Sequence, residues 1–239
     1  MNKKALFALS IVVVLPVVSY FLVKYYSDDA VVMPRRFYAD SVVTSIKDGK
    51  ETTDTAWHKV DNITLTNQLG NLVSLDDLSG KVIIADFFFT KCPSICPTLT
   101  RNMKKLQDAL KVKDELKRID TTFIQFLSFT VDPERDSASV LKKYADQYGV
   151  NPDVWWMLTG PKKAIYDFAL NELKLGLTDG EQIDSNFIHS SKFVLLDKER
   201  VVRGYYDGLD SAALNRLAGD LIYIMLEKDK TKPRNLFRK

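Results

Sequence analysis

The sequence predicts an α/β domain with a mixed central sheet. Two apolar runs of strand length, KVIIADFFF and TTFIQFLSFTV, have the continuous hydrophobicity of strands that are covered on both faces. Each run is followed by a segment whose apolar residues have helical spacing, and such alternation is typical of parallel strands joined by helices. Segments typical of hairpins before and after these units add antiparallel strands to the expected sheet.

The first half of the domain begins with ITLTNQLGNLVSL, which predicts a hairpin around an NQLG turn. PTLTRNMKKLQDALK follows the first buried strand and predicts a helix. The apolar residues on one face of this helix are Leu99, Met103, Leu106 and Leu110. After the second buried strand, SASVLKKYADQYG predicts a helix between a serine N-cap and a glycine stop.

The second half adds four elements. VWWMLTG predicts a short strand or a loop, and PKKAIYDFALNEL predicts a helix that opens on proline. SKFVLLDKERVVRGYYDG predicts a hairpin, and DSAALNRLAGDLIYIMLEK predicts a closing helix. The predicted order is therefore hairpin, strand, helix, strand, helix, helix, hairpin, helix, with VWWMLTG between the second and third helices.

The N-terminus predicts a membrane anchor. Lys3 and Lys4 precede 19 uncharged residues, which can just span a hydrocarbon core of about 30 Å. Basic residues before the run and acidic residues after it indicate that the following chain lies outside the cytoplasm. A cleaved signal peptide is the alternative, although its apolar core is usually shorter. We expect a single-pass protein of the bacterial inner membrane whose domain faces the periplasmic or extracytoplasmic side.

Four parts of the chain are expected from these patterns. They are a membrane anchor at residues 1–27 with one transmembrane helix, a tether with one early strand at 28–56, the folded domain at 57–227 and a basic flexible tail at 228–239. The formal net charge is only +3, and the basic residues are spread among acidic ones. This charge pattern argues against nucleic acid as a partner.

Cys92 and Cys96 are the only cysteines in the chain. Outside the cytoplasm cysteines usually form structural disulfides, but a bridge between these two closes a very short loop and stabilises little. A helix that starts near Pro93 would place both thiols on one face and Cys92 at the helix N-terminus, where the thiolate is favoured. Such a pair suits a reversible Cys92–Cys96 disulfide and equally suits two thiolates on one metal ion.

Three further residues could belong to the same site or have only a structural role. His189 directly precedes a predicted hairpin strand and is a candidate third ligand, which with two thiolates would suit copper. A polar loop histidine explains it equally well. Asp132 follows the second buried strand and could orient a ligand, whereas turn chemistry also explains an Asp-Pro pair there. His58 is expected to be a surface or strand-edge residue.

The segments DFFFTKCPSICPTLTRNM, FTVDPERDS and HSSKFVLLDKERVVRGYYDG, in this order, resemble the SCO/SenC family. The resemblance implies a thioredoxin-like fold and delivery of copper to the dinuclear copper centre of cytochrome c oxidase. It implies Cys92, Cys96 and His189 as ligands of Cu(I) and Cu(II), and Asp132 as an aspartate near the site. Implied partners are the copper-bearing oxidase subunit, a copper donor protein and a thiol reductant. Ile188 departs from the family, in which many members have Asp before the histidine.

Three functions remain open at this point. The first is a copper-binding assembly factor, a carrier rather than an enzyme. The second is a thiol–disulfide oxidoreductase that keeps the cysteines of a copper-accepting subunit reduced. The C-x-x-x-C spacing, with His189 where thioredoxin-type oxidoreductases have a proline, favours the metal-binding function. The third, a peroxidase with Cys92 as the peroxidatic thiol, has only the sequence around that cysteine in its favour.

Overall fold

The computed structural model describes residues 3–28, 33–47, 50–109, 123–178 and 190–227. Contacts divide the chain into two units, Met1–Met33 and Pro34–Lys239. His189, Ile188 and the predicted basic tail lie outside the described residues.

The first unit contains helix α1, Lys3–Asp28, with Pro16 inside it. A helix was expected here because the run from Ala5 to Val23 is uncharged. Within the described part of the chain, however, no helix combines the length and the apolarity that a membrane span needs. The transmembrane helix predicted from the sequence is therefore not supported by the structure.

The second unit begins with a two-stranded antiparallel sheet. Strand β1, Ala39–Lys47, pairs with β2, Lys50–Trp57, and the register places Val42 opposite Thr55. The sequence predicts a tether with one strand in this region, whereas the structure has two strands. Six of the eight residues of the second strand, KETTDTAW, are charged or polar, and its strand character comes from threonine, whose branched side chain suits an extended backbone.

The main sheet has seven strands and is mixed, as predicted. The strands are β3 (Thr64–Asn67), β4 (Leu72–Ser74), β5 (Val82–Phe88), β6 (Ile124–Thr130), β7 (Trp155–Thr159), β8 (Lys192–Leu196) and β9 (Val202–Asp207). Their spatial order is β4-β3-β7-β6-β5-β8-β9. The central strands β5, β6 and β7 run parallel, and the two hairpins at the sides add antiparallel strands.

Helices and turns cover both faces of the sheet. The first face packs against α2 (Cys96–Ala109), α3 (Ala138–Tyr148) and α6 (Ser211–Leu226). The second face packs against a 3₁₀ turn (Leu75–Leu78), α4 (Lys162–Asp167), a π-helical turn (Phe168–Glu172) and α5 (Leu175–Thr178). Strand β5 alternates between the two cores, and each of its seven residues is buried. The prediction of a strand covered on both faces is confirmed.

The start of α2 differs from the prediction. The helix begins at Cys96 and not near Pro93. The amides of Thr98 and Leu99 both donate to the carbonyl of Ile95, at 2.9 and 3.0 Å, so the helical hydrogen bonds start there. Pro97 fits the first turn because the N–H it lacks would have had no partner in the helix. The segment from Cys92 to Ile95 is therefore a loop that leads into the helix.

A buried arginine forms an ionic brace at the β8–β9 hairpin. The Arg203 side chain is 2% exposed, and its Nη1 donates to Asp197 at 2.9 Å and to Glu227 at 2.8 Å. Its Nε and Nη2 donate to the carbonyl of Pro34 at 3.1 and 2.8 Å. Burial opposes the charge, but the two carboxylates hold the pKa of Arg203 above its ordinary value. This guanidinium joins the start of the domain, the β8–β9 turn and the end of α6.

A buried carboxyl group lies inside β5. Asp86 is 2% exposed, and it accepts a hydrogen bond of 2.5 Å from the Ser128 hydroxyl. The indole N–H of Trp155 donates to the same hydroxyl at 2.9 Å. Burial raises the pKa of Asp86 to about 7, although the hydrogen bond from Ser128 opposes the rise. The folded domain therefore holds this proton far more tightly than an unfolded chain would.

Replacing Arg203 with Ala should lower the free energy of unfolding by about 3–5 kcal/mol, because the buried Asp197 carboxylate loses its closest ionic partner. The exposed pair of Lys142 with Asp146 provides the matched control, since Lys142→Ala should cost less than about 1 kcal/mol. Urea unfolding of both variants measures the difference. Equal small losses would contradict the role of Arg203 as a brace.

Replacing Asp86 with Asn should change the stability of the domain relative to wild type more favourably at pH 8 than at pH 5. A carboxyl whose pKa is raised on folding contributes most to the free energy of unfolding when the pH is below its pKa in the unfolded chain. That contribution is lost as the pH rises through about 7. Asn stays neutral and still accepts from Ser128, so the stability of the variant relative to wild type should rise by a few kcal/mol between these pH values. Urea unfolding at both pH values tests this, with the exposed Asp153→Asn as control. The same difference at both pH values would refute it.

Candidate functional site

The two cysteines lie together where the first core reaches the C-terminal end of β5. Cys92 is 8% exposed and lies in the loop after β5, and Cys96 is 4% exposed and is the first residue of α2. Both are free thiols. They pack in the core that also contains Phe88 and Leu99. The prediction that the two thiols lie close together is supported, although the helix begins later than expected.

Cys92 is the more acidic thiol. Burial acts to raise its pKa, but hydrogen bonds from the Cys96 thiol, from the N–H groups of Cys96 and Ser94 and from the Ser94 hydroxyl together lower the pKa below its ordinary value. The Ser94 hydroxyl lies 3.8 Å from the Cys92 sulfur. These donors surround the sulfur just before α2 begins. The thiolate, which is the nucleophile and the metal ligand, is therefore favoured at Cys92.

Cys96 is shifted in the opposite direction. Burial raises the pKa of Cys96 to about 12, and its interactions with the Cys92 thiol and with the charge of Asp86 add to the rise, while a backbone contact with Phe89 opposes it. Cys96 therefore keeps its proton and donates a hydrogen bond to the Cys92 thiolate. The pair contains one nucleophilic sulfur and one protonated sulfur beside it, and a metal ion that binds both must displace the second proton.

The VDPERD loop lies next to this pair through Asp136. The Asp136 carboxylate, 1% exposed, accepts hydrogen bonds from the amide and the hydroxyl of Thr90, at 3.0 and 2.5 Å. Asp132, the residue singled out from the sequence, pairs instead with the side chain of Arg135 at 3.3 Å. A role of Asp132 in orienting a ligand stays a prediction, while Asp136 makes the contact with the cysteine loop.

Strand β8, which follows the predicted histidine ligand in the sequence, begins at the end of the sheet where the cysteines lie. It runs antiparallel to β5, with Val194 opposite Ala85 and Leu196 opposite Ile83. The start of β8 therefore lies beside the end of β5 that leads to Cys92. His189 itself lies outside the described residues. Within the ranges that the structure describes, no group of three or more His, Cys, Asp and Glu side chains could hold a metal ion.

His58 lies at the base of the β1–β2 hairpin. Its Nδ1 is 3.2 Å from an Asp40 oxygen, and its Nε2 is 3.3 Å from a Glu172 oxygen. The ring is partly buried between these two carboxylates, and both belong to elements other than the cysteine loop. This position at the end of a strand agrees with the expectation of a strand-edge residue.

The sequence did not predict the roles of two buried residues near the site, Asp86 and Asp136. Asp86 could have been noticed, because a carboxylate inside the apolar run KVIIADFFF must be buried with the rest of the strand. Asp136 gave no comparable signal. It follows the Asp-Pro pair by only a few residues, and only the folded structure shows that its carboxylate reaches the loop after β5.

Comparison with known proteins agrees with this geometry. A family model described as SCO1/SenC matches residues 51–221. The SCO1 protein homolog of Bacillus subtilis (strain 168) is 36% identical over 174 residues, which cover 72% of this chain and 86% of that protein.

Solved structures share the fold. BsSco, described as a member of the Sco family of cytochrome c oxidase assembly proteins with a disulfide switch, is 33% identical with a TM-score of 0.58, covering 72% of this chain and 95% of its own. A SCO1/SenC family lipoprotein from Bacillus anthracis str. Ames is 29% identical with a TM-score of 0.58, covering 70% and 95%. Yeast Sco1 with copper bound, at 24% identity and a TM-score of 0.51 over 69% and 92%, shows the likeness of fold alone.

The family model spans well over half of the chain, and the Bacillus subtilis relative exceeds 30% identity over most of both proteins. The fold of the domain is thus shared with proteins of known family. The chain belongs to the SCO1/SenC family.

Proposed function

We propose that this protein is a copper-binding assembly factor for cytochrome c oxidase and that it carries copper on Cys92 and Cys96. The observation that carries the proposal is the pair of thiols with opposite pKa shifts, where Cys92 favours the thiolate and Cys96 is a protonated neighbour. Thiolate ligands select Cu(I) over hard cations, and two thiolates suffice for it. Membership of a family that includes oxidase assembly proteins supports the choice of copper and of its acceptor.

The chemistry of loading follows from this asymmetry. Because its pKa is lowered, Cys92 is the more readily deprotonated of the two thiols and would make the first contact with an incoming ion. Cys96 then loses its proton to solvent or to the donor as the second sulfur–metal bond forms. The first turn of α2 fixes Cys96, and its amide also faces the Cys92 sulfur. The site therefore presents soft sulfur ligands without large movement of the sheet.

A third ligand from His189 belongs to the same proposal. An imidazole added to two thiolates makes the set suitable for Cu(II) as well as Cu(I). The register of β8 against β5 supports it, since the chain enters β8 at the edge where the cysteines lie. Ser190, the next residue along the chain, is buried at 5% exposure. Asp132 is proposed to orient a ligand from the adjacent loop.

A thiol–disulfide oxidoreductase is the second candidate, because a thiolate beside a thiol also suits disulfide exchange. The Cys92 thiolate would attack a disulfide of the copper-accepting subunit, forming a mixed disulfide and releasing one subunit thiolate. Cys96, after losing its proton, would attack the Cys92 sulfur and release the second. The subunit gains two electrons and two thiols, and this chain gains a Cys92–Cys96 disulfide. The disulfide switch described for the 33% identical BsSco favours this candidate.

The proposed place of action is outside the cytoplasm, at the bacterial inner membrane. Lys3 and Lys4 followed by an uncharged run support the orientation. The relative described as a lipoprotein from Bacillus anthracis supports a domain held at a membrane surface. The copper-bearing oxidase subunit, a copper donor and a thiol reductant are the proposed partners.

Titration of the reduced full chain with Cu(I), against a competing chromophoric chelator and without oxygen, tests the proposal. We expect one equivalent bound tightly, and complete loss of this binding when Cys92 and Cys96 are both replaced by Ser. The double Ser variant controls for weak binding elsewhere on the chain. Wild-type binding no stronger than that of the variant would reject the copper carrier and leave the oxidoreductase, while peroxide consumption would support the peroxidase.

The pKa shifts predict unequal reactivity of the two thiols. At pH 7 the Cys96→Ser variant, which keeps Cys92, should react with iodoacetamide at least about tenfold faster than the Cys92→Ser variant, because only the thiolate is alkylated. Raising the pH to 10 should speed the Cys96 thiol far more than the Cys92 thiol. Mass spectrometry of the time course measures both rates. Equal rates at pH 7 would contradict the asymmetry.

A further inference from the structure

The buried carboxylate of Asp136 bridges the ends of the two central strands. Its Oδ2 accepts from the Thr90 amide at 3.0 Å and from the Thr130 hydroxyl at 2.6 Å, and its Oδ1 accepts from the Thr90 hydroxyl at 2.5 Å. Thr130 is the last residue of β6, and Thr90 follows the end of β5 by two positions. Three hydrogen bonds to one ionisable group at 1% exposure form a strong and specific junction.

The backbone that carries Asp136 is itself fixed. The Asp136 amide donates to the carbonyl of Asp132 at 2.9 Å, and the Asp132 amide donates to the Thr130 hydroxyl at 3.1 Å. The amide of Val131 donates to the carbonyl of Phe88 at 2.8 Å, which continues the pairing of β6 with β5. The carboxylate therefore acts from a rigid loop and not from a flexible one.

Two of the three hydrogen bonds end on Thr90, which lies two residues before Cys92. The amide of Cys92 donates to the carbonyl of Phe89 at 3.2 Å, so residues 89–92 form one turn. Helix α2 fixes Cys96, but Cys92 lies outside the helix. The position of the Cys92 sulfur relative to Cys96 therefore depends on this turn, and the Asp136 carboxylate holds it from the side of β6.

We propose that Asp136 is a positioning residue that holds the turn of residues 89–92 and thereby keeps the Cys92 sulfur beside Cys96. In its copper-binding consequence this inference rests on the function proposed above. Asp136 contacts neither sulfur through a hydrogen bond of the described structure; it acts through Thr90. Loss of the Asp136 carboxylate should weaken metal binding and disulfide formation, since two sulfurs whose relative position is not fixed bind one ion or form one disulfide less readily.

The test compares four variants of the reduced full chain. Asp136→Asn replaces one acceptor oxygen by an N–H group, and Thr90→Val removes the hydroxyl while keeping the shape. Thr90→Ser keeps the hydroxyl and is the rescue variant. Tyr206→Phe removes a hydrogen bond of 2.6 Å from a hydroxyl to the Asp220 carboxylate, away from the turn of residues 89–92, and is the matched control for a lost hydrogen bond to a carboxylate. Urea unfolding first establishes that each variant is folded at the assay temperature.

The expected result is a selective loss of Cu(I) affinity. The dissociation constant should rise about tenfold for Asp136→Asn and about three- to tenfold for Thr90→Val, in line with the loss of hydrogen bonds to a charged group. Thr90→Ser and Tyr206→Phe should stay within about twofold of wild type. Wild-type affinity in Asp136→Asn and Thr90→Val, or an equal loss in Tyr206→Phe, would overturn the positioning role, because Asp136 would then serve stability alone.

A second measurement separates this inference from the proposed function. Equilibration with oxidised and reduced dithiothreitol gives the equilibrium constant for forming the Cys92–Cys96 disulfide, in which the two thiols give two protons and two electrons to the oxidised reagent. This constant should fall by a similar factor in Asp136→Asn and Thr90→Val but not in the two other variants. If wild type binds no Cu(I), the proposed function fails and this equilibrium decides the role of Asp136. An unchanged constant would refute it.

Discussion

Strand β5 is buried on both faces, and the position of the site follows from this constraint. Its alternate residues enter two separate cores, so the strand has no freedom to shift its register or to turn over. The chain leaves the interior at the C-terminal end of the strand, and ligands of parallel α/β sheets usually bind at that end. Cys92 and Cys96 follow at once, and they lie at the boundary between a rigid core and solvent. The same burial traps Asp86 in the middle of the strand and raises its pKa.

The site combines two supports of different origin. Cys96 is held locally, because the first turn of α2 and the apolar core fix it. Cys92 is held by tertiary contacts, because the turn that carries it depends on a carboxylate from the loop after β6. As a result, hydrogen-bond donors surround the Cys92 sulfur, whereas Cys96 is buried in the apolar core. The opposite pKa shifts of the pair are the electrostatic result of that division.

How much the sequence could predict depends on the range of the interactions. The apolar runs predicted β5 and β6, and helical spacing with Gly149 as the stop predicted α3, because these signals are local. Strand β2 was missed, since its polar threonines carry no hydrophobic period. The start of α2 was placed too early, because proline marks a first turn without saying which residue opens it. The roles of Asp86 and Asp136 depend on contacts between distant segments, and no local pattern contains them.

The proposed copper carrier must release its cargo as well as bind it, and the asymmetry of the thiols would serve both requirements. Cys92 offers a thiolate at once, which favours capture. Cys96 binds only after losing a proton from a thiol whose pKa is about 12, so part of the free energy of sulfur–metal bonding is used to remove that proton. The proton returns when the ion leaves, because burial and the charge of Asp86 favour the neutral thiol. Under the proposed function, an acceptor that offers its own thiolates would therefore take the ion without having to match the intrinsic strength of two free thiolates, and burial of Cys96 would favour release over retention.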